Sequence, residues 1–156
     1  MELKIKKETA KTVYEESPSW FQKVLTETFG EACFKTTDFN DIKTFNDACI
    51  ACGTTEQEFE LRFKDLNLDL DTVFYEKIKM VTKAINQGWV PDWRNSSQKK
   101  WYPYFQVAPS GAGFSVSDSY YADTFTNVGS RLCFESEAKA THAGKQFTSI
   151  YSQFIL

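Results

Sequence analysis

Residues 88–107 read GWVPDWRNSSQKKWYPYFQV, and the fold turns on how that run divides. Gly88 ends a long helical pattern, as a residue without a Cβ can when it turns left-handed after a helix. Pro91 forbids continuation of that helix and biases Val90 towards an extended backbone. Residues 94–98 are polar loop. From Lys99 the period drops to two: Trp101, Pro103, Phe105 and Val107 share one side of a strand, and Tyr102, Tyr104 and Gln106 share the other. Pro103 has no N–H to give a ladder, so this strand lies on an edge or carries a bulge. Three of the four tryptophans fall here. Each indole N–H needs a partner if buried, so Trp101 is expected in the core and at least one of Trp89 and Trp93 partly exposed.

Towards the N-terminus the pattern is helical. Phe74, Ile78, Val81 and Ile85 make a one-sided stripe that Asp69 or Asp71 can cap. Thr55 and Glu58 fit a capping box, opening a short helix that buries Phe59 and Phe63. Phe45, Ala48, Cys49 and Cys52 line one side of a helix over 44–52 that Gly53 ends. Phe34 and Phe39 sit in an irregular stretch, 31–41, as plugs into the core. Pro18 suits the first position of a helix carrying Phe21, Val24, Leu25 and Phe29 up to Gly30. An earlier helix over 8–16 buries Ala10, Val13 and Tyr14, and Leu3 and Ile5 mark a short strand.

Towards the C-terminus the pattern is mostly strand. A turn at 109–113 leads to a strand over 114–117, another over 120–125, a turn at 129–130 and a short apolar strand over 131–134. Ser136 then caps a final helix whose buried face is Ala143, Phe147, Ile150, Tyr151 and Phe154. The expected fold is α+β in a single domain over residues 1–156. A mainly helical part, 1–87, precedes a small antiparallel sheet of three to four strands packed by a long C-terminal helix, 88–156.

With 156 residues, 16% aromatic and 25% charged, the chain has enough apolar material for a sizeable core and is unlike a disordered one. Its net charge of −3 argues against a general nucleic-acid binder. The charge is uneven: six cations and one acid lie between Lys77 and Lys100, against twelve acids and seven lysines in residues 1–60. No apolar run reaches membrane-spanning length, and MELKIKKETAK lacks the apolar core of a signal peptide. Both point to the cytosol, with reduced cysteines.

Catalytic and metal chemistry find little support. Cys49 and Cys52 form a single Cys-x-x-Cys pair on a helix with both sulfurs facing inward, and Cys33 and Cys133 are isolated. A structural zinc site needs four converging ligands, usually as two close pairs. His142, the only histidine, is expected on the surface of the last helix. There is no nucleophile elbow, P-loop or dinucleotide fingerprint. The chain therefore reads as a non-enzyme with no metal or cofactor.

The segments GWVPDW, KKWYPYF, GFS and GSRLCFESEAKATHAGKQFTSIYSQF resemble a group of uncharacterised proteins encoded by phages and prophages of gut Bacteroidales. The similarity is close over the last half of the chain and loose over the first. It implies a phage or prophage origin, hence the cytosol of a host cell, and brings no activity with it.

A binding surface, if present, falls in the organising run. Trp89, Trp93, Tyr102 and Tyr104 supply rings, and Arg94, Lys99 and Lys100 flank them with charge. Asp92 can pin the loop as an Asx-type turn, and Arg131 can lie on a ring or pair with Asp92. Two readings follow. A phage accessory protein would engage a protein partner, since Trp, Tyr and Arg are enriched at interface hot spots. A nucleic-acid or nucleotide binder, of the kind that counters host defence, would stack bases on the rings of a cationic groove. The residues name neither partner nor oligomeric state.

Overall fold

The computed structural model describes residues 5, 7–30, 34, 38–64, 66, 68–107, 113–123 and 130–156. The strand expected at Leu3, the turns at 109–113 and 129–130, the strand end at 124–125, and Cys33 lie wholly or largely outside them. The chain divides into two compact units, Met1–Thr37 and Asp38–Leu156.

In the first unit, α1 (Lys7–Tyr14) and α2 (Ser19–Phe29) are joined at Ser17-Pro18. Pro18 stands at the cap position, one residue earlier than its usual place. The Gln22 carboxamide donates to the Tyr14 carbonyl at 2.8 Å, and the Phe34 ring stacks on Tyr14 with centroids 4.2 Å apart. Leu25 is buried, whereas Val24 on the same expected stripe is exposed.

The second unit holds a short 3-10 turn (Phe39–Asp41), α3 (Phe45–Ala51), α4 (Glu56–Lys64), α5 (Leu70–Asn86), β1 (Lys100–Val107), β2 (Phe114–Ala122), a 3-10 turn (Ser130–Leu132), α6 (Glu137–Gln146) and α7 (Thr148–Ile155). The helix starts follow local chemistry. Thr44 and Asp47 exchange bonds in a capping box, as do Thr55 and Glu58, and the Asp69 carboxylate accepts the Thr72 N–H at 2.8 Å. α5 ends with two left-handed residues, Gln87 (φ 52°) and Gly88 (φ 94°). It packs on α3 and on the α6–α7 pair, and α6 carries the sheet. Ile42, Phe45, Phe59, Ile78, Val81, Ile85, Phe134 and Phe147 are buried in one continuous core. Among the described residues no helix is long and apolar enough to cross a membrane.

The fold is α+β with a helical first half, but the sheet has two antiparallel strands rather than three to four. Two short-range ambiguities explain the difference. The segments 114–117 and 120–122 form one strand, because the register steps from Tyr104↔Asp118 to Phe105↔Val116 and leaves Ser117 as a bulge. The apolar run at 131–134 winds into a 3-10 turn, and only Phe134 pairs with β1, exchanging N–H···O bonds of 3.0 and 2.7 Å with Trp101.

The other side of that one-residue strand is completed by a side chain. The Asn86 carboxamide donates to the Cys133 carbonyl at 2.8 Å and accepts the Glu135 N–H at 3.2 Å. It stands where the peptide group of a neighbouring strand would stand. The expected long C-terminal helix is also broken, at Phe147 (φ −111°, ψ 24°). There the Thr148 hydroxyl donates to the Gly144 carbonyl at 2.6 Å, a bond that bends helices.

Candidate functional site

The loop between α5 and β1 is wired by its own polar residues. Asp92 Oδ1 accepts the Arg94 N–H at 2.9 Å, forming the expected Asx turn, and the Asp92 N–H donates to Gln98 Oε1 at 2.6 Å. Asn95 Oδ1 accepts the Ser97 N–H at 2.9 Å. Its carbonyl accepts both the Gln98 N–H and the Lys100 ammonium, the latter at 2.9 Å. Trp89 and Trp93 are half-buried; Asp92 and Arg94 are exposed.

Lys100 departs most from expectation. It is fully buried (0% exposed), and its Nζ lies 5.3 Å from the centre of the Trp93 ring. The loop closes over the first residue of β1, so its aliphatic stem packs inside. A charge-assisted bond and the face of an indole stand in for water around the ammonium. Lys100 is a strut beneath the loop and does not line a cationic groove.

Arg131 is exposed in the 3-10 turn. Among the described residues it makes neither an ion pair with Asp92 nor a ring contact.

The two faces of the ribbon differ. Trp101, Pro103 and Phe105 point to the helices. Gly144 of α6 approaches so closely that a Cβ there would lie 2.9 Å from both Pro103 Cβ and Val116 Cγ2. Tyr102, Tyr104 and Tyr120 share the opposite face, Tyr102 directly across from Tyr120. Tyr102 is half-buried, its hydroxyl bonded to the Cys133 thiol. Tyr104 and Tyr120 are 61% and 64% exposed. At the open end Lys99 Nζ sits 4.1 Å from the centre of the Tyr121 ring and 5.7 Å from that of Trp101. The Tyr120 and Tyr121 rings lie nearly parallel, 6.3 Å apart.

The structure thus gathers Lys99, Tyr120 and Tyr121 at one end of the ribbon, places Tyr104 on the face that Tyr120 shares, and buries Lys100. Tyr120 and Tyr121 were not among the sequence candidates. Their signal is register, since each matters only by standing opposite Tyr102 or Trp101.

Cys49 and Cys133 are buried, and burial pushes both thiols up to about 11. Cys52 is half-buried, its thiol 3.7 Å from the Met80 carbonyl. Among the described residues no three His, Cys, Asp or Glu side chains converge as metal ligands. His142 is half-buried rather than on the surface. Its Nε2 lies 2.8 Å from the Ile42 carbonyl, and its ring meets the edge of Phe39. The helix brings it inward because Ile42 leaves a carbonyl without a helical partner. Compared with protein families, with characterised proteins and with solved structures, the chain matches none.

Proposed function

We propose that this chain is a non-enzymatic accessory protein of phage origin that acts in the host cytosol by binding a protein through the outer face of its ribbon. One observation carries the reading: Tyr104 and Tyr120 are more than half exposed on the face that the helices leave open. Tyrosines held rigid on a strand offer contact area at small entropic cost, and such rings anchor interfaces. Asp118 lies directly across from Tyr104, at the middle of the platform. A carboxylate there opposes phosphate, and the burial of Lys100 removes one of the cations a nucleic-acid strand would use. A non-catalytic role fits thiols held protonated by burial and an imidazole engaged with a backbone carbonyl.

The test places a photocrosslinking phenylalanine analogue at position 104 or 120 of the full chain, expressed in host cells. The expected product is a discrete protein adduct, resistant to nuclease and absent when the other tyrosine is changed to Ser. A nuclease-sensitive adduct, or no adduct at either position, overturns the proposal.

A further inference from the structure

On a different surface of the same unit, the start of α3, the middle of α5 and the α6–α7 break enclose an open cavity of about 370 Å³. That volume lies at the small end of the range for ligand sites, about 300–1,000 Å³, and suits a metabolite rather than a dinucleotide. Four apolar side chains share the lining with polar ones: Phe45 and Phe147 belong to the core, and Phe74 and Ile150 stand beside them.

Lys77 also lines the cavity, with Nζ 5.0 Å from the centre of the Phe45 ring and 5.8 Å from that of Phe74. The two rings hold the ammonium beside them. Its side chain is 18% exposed, and its one ion pair among the described residues is a long 3.9 Å contact to Glu60, which is itself 61% exposed. A contact of that length and exposure binds weakly and can be exchanged for a better anion. Lys43 adds a second cation at the rim, against the single acid Glu56 among the lining residues. Gln146, Gln153 and Ser149 contribute amide and hydroxyl groups to the lining. The break at Phe147 sets their place, because a continuous helix would carry Ser149 and Gln153 along a different line.

We propose that this cavity binds a small organic anion: one carboxylate or phosphate head between Lys77 and Lys43, and a flat apolar body against Phe74, Phe147 and Ile150. A head in that position gains charge-assisted bonds that replace the Glu60 contact. The body displaces water from those apolar side chains. The amides of Gln146 and Gln153 set the orientation of the head, as the few polar groups of a ligand site do.

The test titrates the isotopically labelled full chain with benzoate, phenyl phosphate and benzyl alcohol, following backbone amides by NMR. The expected result is saturable shifts centred on Thr44, Phe45, Ser149 and Ile150 for at least one anion. The better anion identifies the head group, and benzyl alcohol binds at least about tenfold more weakly, the effect of losing one charge-assisted bond. Lys77→Gln lowers anion affinity by about tenfold, and Lys43→Gln, at the exposed rim, lowers it by less. The variant spectra report whether each remains folded, and the neutral probe decides the matter on the unaltered chain if Lys77→Gln does not. Benzyl alcohol binding as tightly as benzoate, or no saturable shift with either anion, overturns the proposal.

Discussion

Replacing Gly144 with Ala sets two effects of known sign against each other. In the interior of α6 the change favours the helix by about 1 kcal/mol. The new methyl, however, would lie 2.9 Å from Pro103 Cβ and 2.9 Å from Val116 Cγ2, where carbon atoms rest at about 3.5–4.0 Å. Neither neighbour can turn aside. Pro103 Cβ is tied into a ring on the strand backbone, and Val116 is stiff at χ1. The ribbon must therefore move off α6 by about half an ångström or more, and overpacking of that kind costs about 1–3 kcal/mol. The upper part of that range applies, so the net loss is about 1–2 kcal/mol after the helical gain. Urea unfolding should show a lower midpoint at unchanged slope. Adding Val116→Ala should recover part of the loss, giving a coupling free energy that only contacting residues show. A Gly144→Ala protein as stable as the parent would mean that α6 and the ribbon do not meet at this position.

Two more expectations concern buried groups. Lys100→Met keeps the packed stem and removes a desolvated charge, so stability should change by less than about 1 kcal/mol, whereas Lys100→Glu should cost about 3 kcal/mol or more; thermal unfolding of both variants checks this, and a well-tolerated Glu would return Lys100 to the surface. With their thiols raised to about 11, Cys49 and Cys133 are almost wholly protonated at neutral pH and should resist alkylation, reacting as pH approaches that value or when the chain unfolds; mass spectrometry after iodoacetamide treatment at neutral pH reads this directly, and rapid labelling of either in the folded protein refutes the placement.

Much of the fold could be read from short-range pattern. The stripe of α5, its Asp69 cap and the capping box of Thr55 and Glu58 involve residues within one or two helical turns, where spacing determines contact. Pro103 likewise announced an irregular strand, and a bulge lies beside it. What sequence could not supply was pairing. The run at 131–134 is too short for periodicity to separate strand from 3-10 turn, and its partner lies more than thirty positions away. Ser117-Asp118-Ser119 resembles a loop but is one bulged strand once Tyr104 stands opposite. The binding candidates divided on the same line. Asp92 formed its turn through residues close by. Lys100 was misjudged because lysine is almost never fully buried, and only a loop folded over it reveals otherwise. The anion cavity is further still from sequence view, since Lys43 and Gln153 meet only after the helices between them have packed.

The amide of Asn86 has a consequence for how this chain can change over time. By holding Cys133 and Glu135 it joins two points 47 and 49 positions apart. The chain between them forms one closed loop whose two ends are held at that amide, with the inner face of the ribbon packed on α6. The entropy of closing such a loop grows only with the logarithm of its length, about 0.6 kcal/mol for each doubling. A change in the length of that loop therefore costs little in chain entropy, provided the residues packed on α6 keep their places. A lineage meeting a new partner can therefore remodel the tyrosine face and its reach while the helices, and the small cavity among them, stay as they are.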